Sequence, residues 1–129
     1  MNPSAYANQY RQTAVNSAVL NASPHKLVAL QLSGARDRVR RAVACIELGD
    51  MARKGIAIRE ICALVGNLQA SLDFKAGGEL ASSLSTLYDY LQRRLVEANV
   101  GTDTRILLEV DGLLTDIESA WNAIAEQPQ

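Results

Sequence analysis

The stretch LASSLSTLYDYLQRRLVEAN, residues Leu80 to Asn99, decides the fold. Leu80, Leu84, Leu87, Tyr88, Leu91, Leu95 and Ala98 recur at three- and four-residue spacing, which gathers them on one face of an α-helix. The residues between them are mostly Ser, Thr, Asp, Gln, Arg and Glu, as a solvated side requires. Glycine-bearing breaks flank this helix. Before it, Leu72-Asp73-Phe74-Lys75-Ala76-Gly77-Gly78 ends in paired glycines, which favour a turn over a helix interior. After it, Val100-Gly101-Thr102-Asp103 offers Gly101 as a left-handed stop and Thr102 or Asp103 as the next cap.

Working outward, three more segments carry the same period. One runs from Ser23-Pro24, a capping serine with proline at the first helical position, to Gly49-Asp50. It turns Leu27, Leu30, Gly34, Ala35, Ala42, Val43 and Ile46 inward and Arg36, Asp37, Arg40 and Arg41 outward. The next, Met51 to Leu72 with Asp50 as its cap, presents Ile58, Ile61, Cys62, Val65, Leu68 and Leu72. The last follows Asp103 with Ile106, Leu107, Val110, Leu113, Leu114, Ile117, Trp121 and Ile124. Pro3, Pro24 and Pro128 interrupt none of them. Short connections make neighbouring helices antiparallel, so the expected fold is all-α, an antiparallel up-down four-helix bundle forming a single domain over residues 23–127. In residues 1–22, Tyr6, Tyr10, Val15, Ala18, Val19 and Leu20 are scattered among polar residues, which suggests a short N-terminal helix or an arm docked on the bundle.

Composition narrows the function classes. The chain has 129 residues, 48% hydrophobic and 21% charged, which fits one globular core. Aromatic residues are only 5%, so the core is aliphatic. Thirteen basic and fourteen acidic side chains leave a net charge of −1, too little to project a field toward nucleic acid or anionic lipid. The N-terminus lacks the basic start and apolar run of a secretory signal, and no apolar run reaches the roughly 18 residues of a membrane span. A cytoplasmic protein without membrane insertion is expected.

No constellation of catalytic, cofactor-binding or metal-ligating residues can be assembled. His25, the one histidine, has no visible partner and reads as solvent-facing or capping. Cys45 and Cys62 lack C-x-x-C spacing and read as free buried thiols. The carboxylates from Asp73 to Glu118 fall at helix ends or on polar faces. Gly77-Gly78 follows no strand and lacks the lysine of a phosphate loop. Arg36, Arg38, Arg40 and Arg41 form one dense basic run, the only support for a second reading, a helical regulatory or nucleic-acid-associated module. Without interleaved aromatics that run fits a solvated face better, and a protein that binds no nucleic acid is expected.

Surplus apolar residues point to a protein partner. Tyr88-Asp89-Tyr90 puts at least one tyrosine near solvent, and Tyr90 shares its outward side with Arg93. Ile56 and Leu64 fall off the second helix's stripe and would leave an apolar groove able to take an amphipathic helix.

Several stretches, taken in order, resemble the flagellar secretion chaperone family FliS. They are Ala22-Ser23-Pro24-His25-Lys26-Leu27, the turn from Leu72-Asp73 to Gly77-Gly78-Glu79-Leu80-Ala81, Leu87 to Asn99, Glu109-Val110-Asp111-Gly112-Leu113-Leu114, and Ala120-Trp121. The resemblance implies an antiparallel bundle that captures the disordered C-terminal segment of flagellin in apolar surface grooves, blocks its premature polymerisation, and passes it to the flagellar type III export gate. It also implies client contact by the N-terminal tyrosine region, here Tyr10 with Val15 nearby. The expected partner-binding set is therefore Tyr10, Val15, Ile56, Leu64, Tyr88, Tyr90 and Arg93. At Gln31, Leu32 and Ser33 the chain departs from the family pattern, which usually has leucine, an aromatic and an acid. A homodimer is left open.

Overall fold

The computed structural model describes residues 24–125, which form four helices: α1 (Pro24–Leu48), α2 (Met51–Ala70), α3 (Phe74–Val100) and α4 (Thr104–Ala125). Each packs against its sequence neighbours, and α4 closes back onto α1. The result is the expected up-down bundle. The Ser23 cap, Tyr10 and Val15 lie outside the described residues.

Two residues turn α1 into α2. Gly49 takes φ 76°, the left-handed conformation that costs glycine little. From there the Gly49 and Asp50 amides donate to the carbonyls of Ile46 (3.1 Å) and Cys45 (2.8 Å), the paired bonds of a Schellman stop. Asp50 then starts the next helix, its carboxylate accepting from the Arg53 amide at 3.1 Å.

The core is aliphatic and continuous. Leu32, Val39, Ile58, Ile61, Val65, Leu68, Leu91, Leu95, Leu107, Val110 and Leu114 are fully buried, and small Ala35, Ala42, Ala57 and Ala98 let the helices approach. Tyr88 is the core's aromatic member among the described residues. Two residues of the expected stripes stand out of it. Leu80 is 63% exposed, because the helix axis breaks two residues earlier, and Ile124 lies exposed in the last turn of α4.

The α3–α4 turn differs from expectation. Gly101 has φ −114°, so the stop is extended rather than left-handed. The reason is Lys54. Only 5% exposed, it reaches from the first turn of α2 and donates to the carbonyls of Asn99 (2.9 Å) and Gly101 (2.8 Å). An ammonium at the negative end of α3 satisfies carbonyls that the helix end leaves without an intrahelical donor, and it suits the helix dipole. Asp103 caps α4 by accepting from the Arg105 amide at 2.9 Å. Lys54→Met keeps the apolar stem but leaves both carbonyls without this donor. It should lower the unfolding free energy in urea by about 1–3 kcal/mol. Arg53→Met, next to it on an exposed side chain, should change stability by less than about 0.5 kcal/mol.

Candidate functional site

The sequence dictates an opening at one end of the bundle. Asp73 accepts from the amides of Lys75 and Ala76, both at 3.0 Å, and its carbonyl accepts from Gly77 at 2.8 Å, so a single helical turn forms where a loop was expected. Gly78 then adopts φ 50°, ψ −124°, a conformation open to glycine alone, and α3 sets off on a new axis. Gly77 is needed for a different reason: a Cβ there would sit 2.9 Å from that of Ala81.

This kink holds the start of α3 away from α1 and α4. The resulting groove has a volume of about 380 Å³ and a mainly apolar lining, with Val28 of α1, Leu72, Leu84 and Tyr88, and Ile117 and Trp121 of α4. Leu80 lines its lip. Phe74, one turn before the kink, is 53% exposed.

The groove wall is fastened by a clasp the sequence does not announce. His25 was expected without a partner, yet its ring stacks on the Trp121 indole at 4.5 Å between centroids and 11° between planes. His25 Nε2 donates to the Trp121 carbonyl and Trp121 Nε1 donates to the His25 carbonyl, each at 2.9 Å. Because a carbonyl can only accept, Nε2 carries a proton. The first turn of α1 is thereby tied to the last turns of α4, across 96 residues of sequence.

The expected partner-binding residues do not converge. Tyr88 lines the groove from the core side. Ile56, 49% exposed, lines a second groove at the opposite end, between α1 and α2. Leu64 is half-buried against the core, near Gly34 of α1. Tyr90 and Arg93 lie on the α4-facing and outer sides of α3, with the Arg93 guanidinium 5.8 Å from the Tyr90 ring centre. The groove residues that sequence reading assigned to the core or to a turn are Leu72, Leu80, Leu84, Ile117 and Trp121.

Tyr90 is held rather than free. Its hydroxyl donates to Glu109 of α4 at 2.7 Å, and Arg94 Nε donates to the same oxygen at 2.9 Å. The Tyr90 hydroxyl, followed by Arg94, holds the Glu109 carboxyl below its usual range, and the same bond pushes the Tyr90 phenol up. A carboxyl lowered on folding adds stability above its unfolded pKa and loses that stability as pH falls through the folded value. Tyr90→Phe should therefore be less stable than the parent at neutral pH, with the gap closing as pH drops below the ordinary glutamate range. Urea midpoints across an acid series test this; a gap that stays constant to the lowest pH contradicts it.

Three of the four arginines in the run are engaged by carboxylates of the chain. Arg36, placed outward by its spacing, is half-buried and bridges α1 to α4 through Asp111 at 3.2 Å and Glu118 at 2.6 Å. Glu118, then burial working in the opposite direction, dominate a net upward push on its pKa. Arg38 pairs with Glu60 of α2 at 2.7 Å and Arg40 with Asp37 at 3.2 Å. Cys45 and Cys62 are free, half-buried rather than fully buried, and burial pushes the Cys62 thiol up. Among the described residues no cluster of His, Cys, Asp or Glu is arranged to hold a metal, and no helix is long and apolar enough to cross a membrane. At the departure from the family pattern, Leu32 fills the core. Gln31 Oε1 is buried and accepts no hydrogen bond among the described residues.

An all-helical bundle that leaves an apolar groove open has the form of a small binding protein. Residues 6–128 match the family described as flagellar protein FliS, and the chain belongs to that family. It is 44% identical over 117 residues to the flagellar secretion chaperone FliS of Salmonella typhimurium, covering 90% of this chain and 87% of that one. It is 39% identical to the flagellar secretion chaperone FliSB of Pseudomonas aeruginosa (91% and 93% covered) and 36% identical to the FliS of Bacillus subtilis (87% and 80%).

Proposed function

We propose that the chain is a cytoplasmic export chaperone that holds the disordered C-terminal segment of flagellin in the groove beside the α3 kink. Holding that segment keeps the client from polymerising before it reaches the flagellar type III export apparatus. The observation that supports the reading is an apolar groove of about 380 Å³, with Leu80 exposed at its lip, in a chain of this family.

The energetics require an elongated contact. Ordering one client residue costs about 1–2 kcal/mol. At roughly 25 cal/mol per Å², each ordered residue must bury roughly 40–80 Å² of apolar surface to offset that cost. A client segment therefore seats apolar anchors in the groove and continues along the outside of the bundle. Tyr10, Val15, Tyr90, Arg93 and Leu64 mark the proposed continuation, with residues 1–22 acting as an arm beside residues 23–127.

The competing nucleic-acid reading needs free arginines, but Arg36, Arg38 and Arg40 are engaged by carboxylates. Salt separates the two readings, since binding through phosphates weakens steeply as salt rises and apolar capture does not. The deciding experiment is co-purification with full-length flagellin and with flagellin lacking its C-terminal segment. The first should bind and the second should not; equal binding by both would overturn the assignment.

A further inference from the structure

At the end of the bundle away from the kink, α1 and α2 leave a second groove of about 330 Å³. Its floor is small: Ala44 and Cys45 of α1 and Ala57 of α2. Its shoulders are large and exposed, with Leu48 at 83% and Ile56 at 49%, and Met51, the first residue of α2, is 39% exposed. A trough of small residues between larger shoulders on two antiparallel helices is the shape that receives the side-chain ridge of a third helix.

Charge selects among the helices that could fit. Arg41 and Arg53 line the groove, one from each helix. Arg41 is exposed and makes no ion pair among the described residues. Arg53, 81% exposed, is 3.5 Å from Asp50, a loose contact it can leave. The one carboxylate in the lining, Glu60, already accepts from Arg38 Nε at 2.7 Å. The groove therefore offers one guanidinium without an ion pair, Arg41, and a second, Arg53, held by a single exposed contact, around an apolar floor.

We propose that this groove docks an amphipathic helix of a second protein, with an apolar stripe flanked by Asp or Glu residues that meet Arg41 and Arg53. Its occupant is separate from the segment held at the kink. The two grooves lie at opposite ends of the bundle, with α1 entering one at Val28 and the other at Leu48, so one chaperone can carry both at once.

The test uses the full chain with methyl-labelled Ile, Leu, Val and Met. The probes are two synthetic helical peptides with the same leucine stripe at i, i+3, i+4 and i+7, one flanked by Glu and the other by Lys. The Glu peptide should bind saturably and shift the methyls of Ile56, Leu48 and Met51 while leaving Leu84 and Ile117 unmoved. The double variant Arg41→Glu, Arg53→Glu changes exposed residues, so it should keep the parent's circular dichroism. Against it, the Glu peptide should lose roughly tenfold or more in affinity and the Lys peptide should gain, a preference set by charge complementarity. Equal binding of the two peptides by the parent overturns the proposal. So do shifts confined to Leu84 and Ile117, or no saturable binding. Flagellin capture is read separately by co-purification, and the double variant should retain it.

Discussion

Gly78→Ala is expected to lower the unfolding free energy by about 1–3 kcal/mol, the cost of holding a side-chain-bearing residue in a sparsely allowed conformation. It is also expected to weaken capture of the flagellin segment. The cost arises in the backbone and not in a clash, because a Cβ built at Gly78 meets nothing within 4 Å. What an L-residue resists is φ 50°, ψ −124° itself. The chain can relieve that strain only by straightening α3, which would swing the Phe74–Gly77 turn and carry Leu72 and Leu80 off the groove. Stability and binding should therefore fall together. Gly112→Ala is the internal control. Gly112 lies exposed inside α4 with open space around its Cβ position, so alanine there should raise stability by about 0.5–1 kcal/mol and leave binding unchanged. Urea denaturation and flagellin co-purification of both variants check the pair. A Gly78→Ala protein as stable and as competent as the parent would show that the kink is not what keeps the groove open.

The bundle was legible because its determinants are local. Asp50 caps α2 and Gly49 stops α1 within two residues, and Ile58, Ile61, Val65 and Leu68 declare a buried face through their own spacing. The groove was less legible because it exists only where four chain segments meet. Paired glycines announced a break but not that Asp73 would cap a turn before it, so Leu80 was grouped with a stripe that the kink turns outward. The same holds for contacts between residues far apart in sequence. A lysine in the first turn of α2 reads as surface until α3 ends beside it, and the amphipathic stem of Lys54 lets it lie buried with its head on Asn99 and Gly101. His25 looked partnerless because its partner, Trp121, is at the other end of the bundle chain. Arg36 looked solvated because Asp111 and Glu118 belong to α4.

Leu91→Ala and Leu80→Ala remove the same atoms from the same helix and are expected to have opposite consequences. Leu91 is 0% exposed in the centre of the core, so its truncation loses transfer energy and leaves a cavity that close-packed neighbours fill only in part. A loss of about 2–5 kcal/mol is expected, the largest of any change argued for this protein. Leu80 is 63% exposed at the groove lip, with little burial on folding to forfeit. Its truncation should cost less than about 0.5 kcal/mol. Its apolar surface is instead buried when the client segment settles over it, so Leu80→Ala should weaken flagellin capture several-fold in a protein that melts like the parent, at about 0.8 kcal/mol for each methylene no longer buried. Measured side by side, urea midpoints and client affinities should dissociate: stability lost at Leu91, affinity lost at Leu80. If Leu80→Ala bound flagellin as the parent does, the client would have to lie elsewhere on the bundle, and the groove beside the kink would be a structural opening without this occupant.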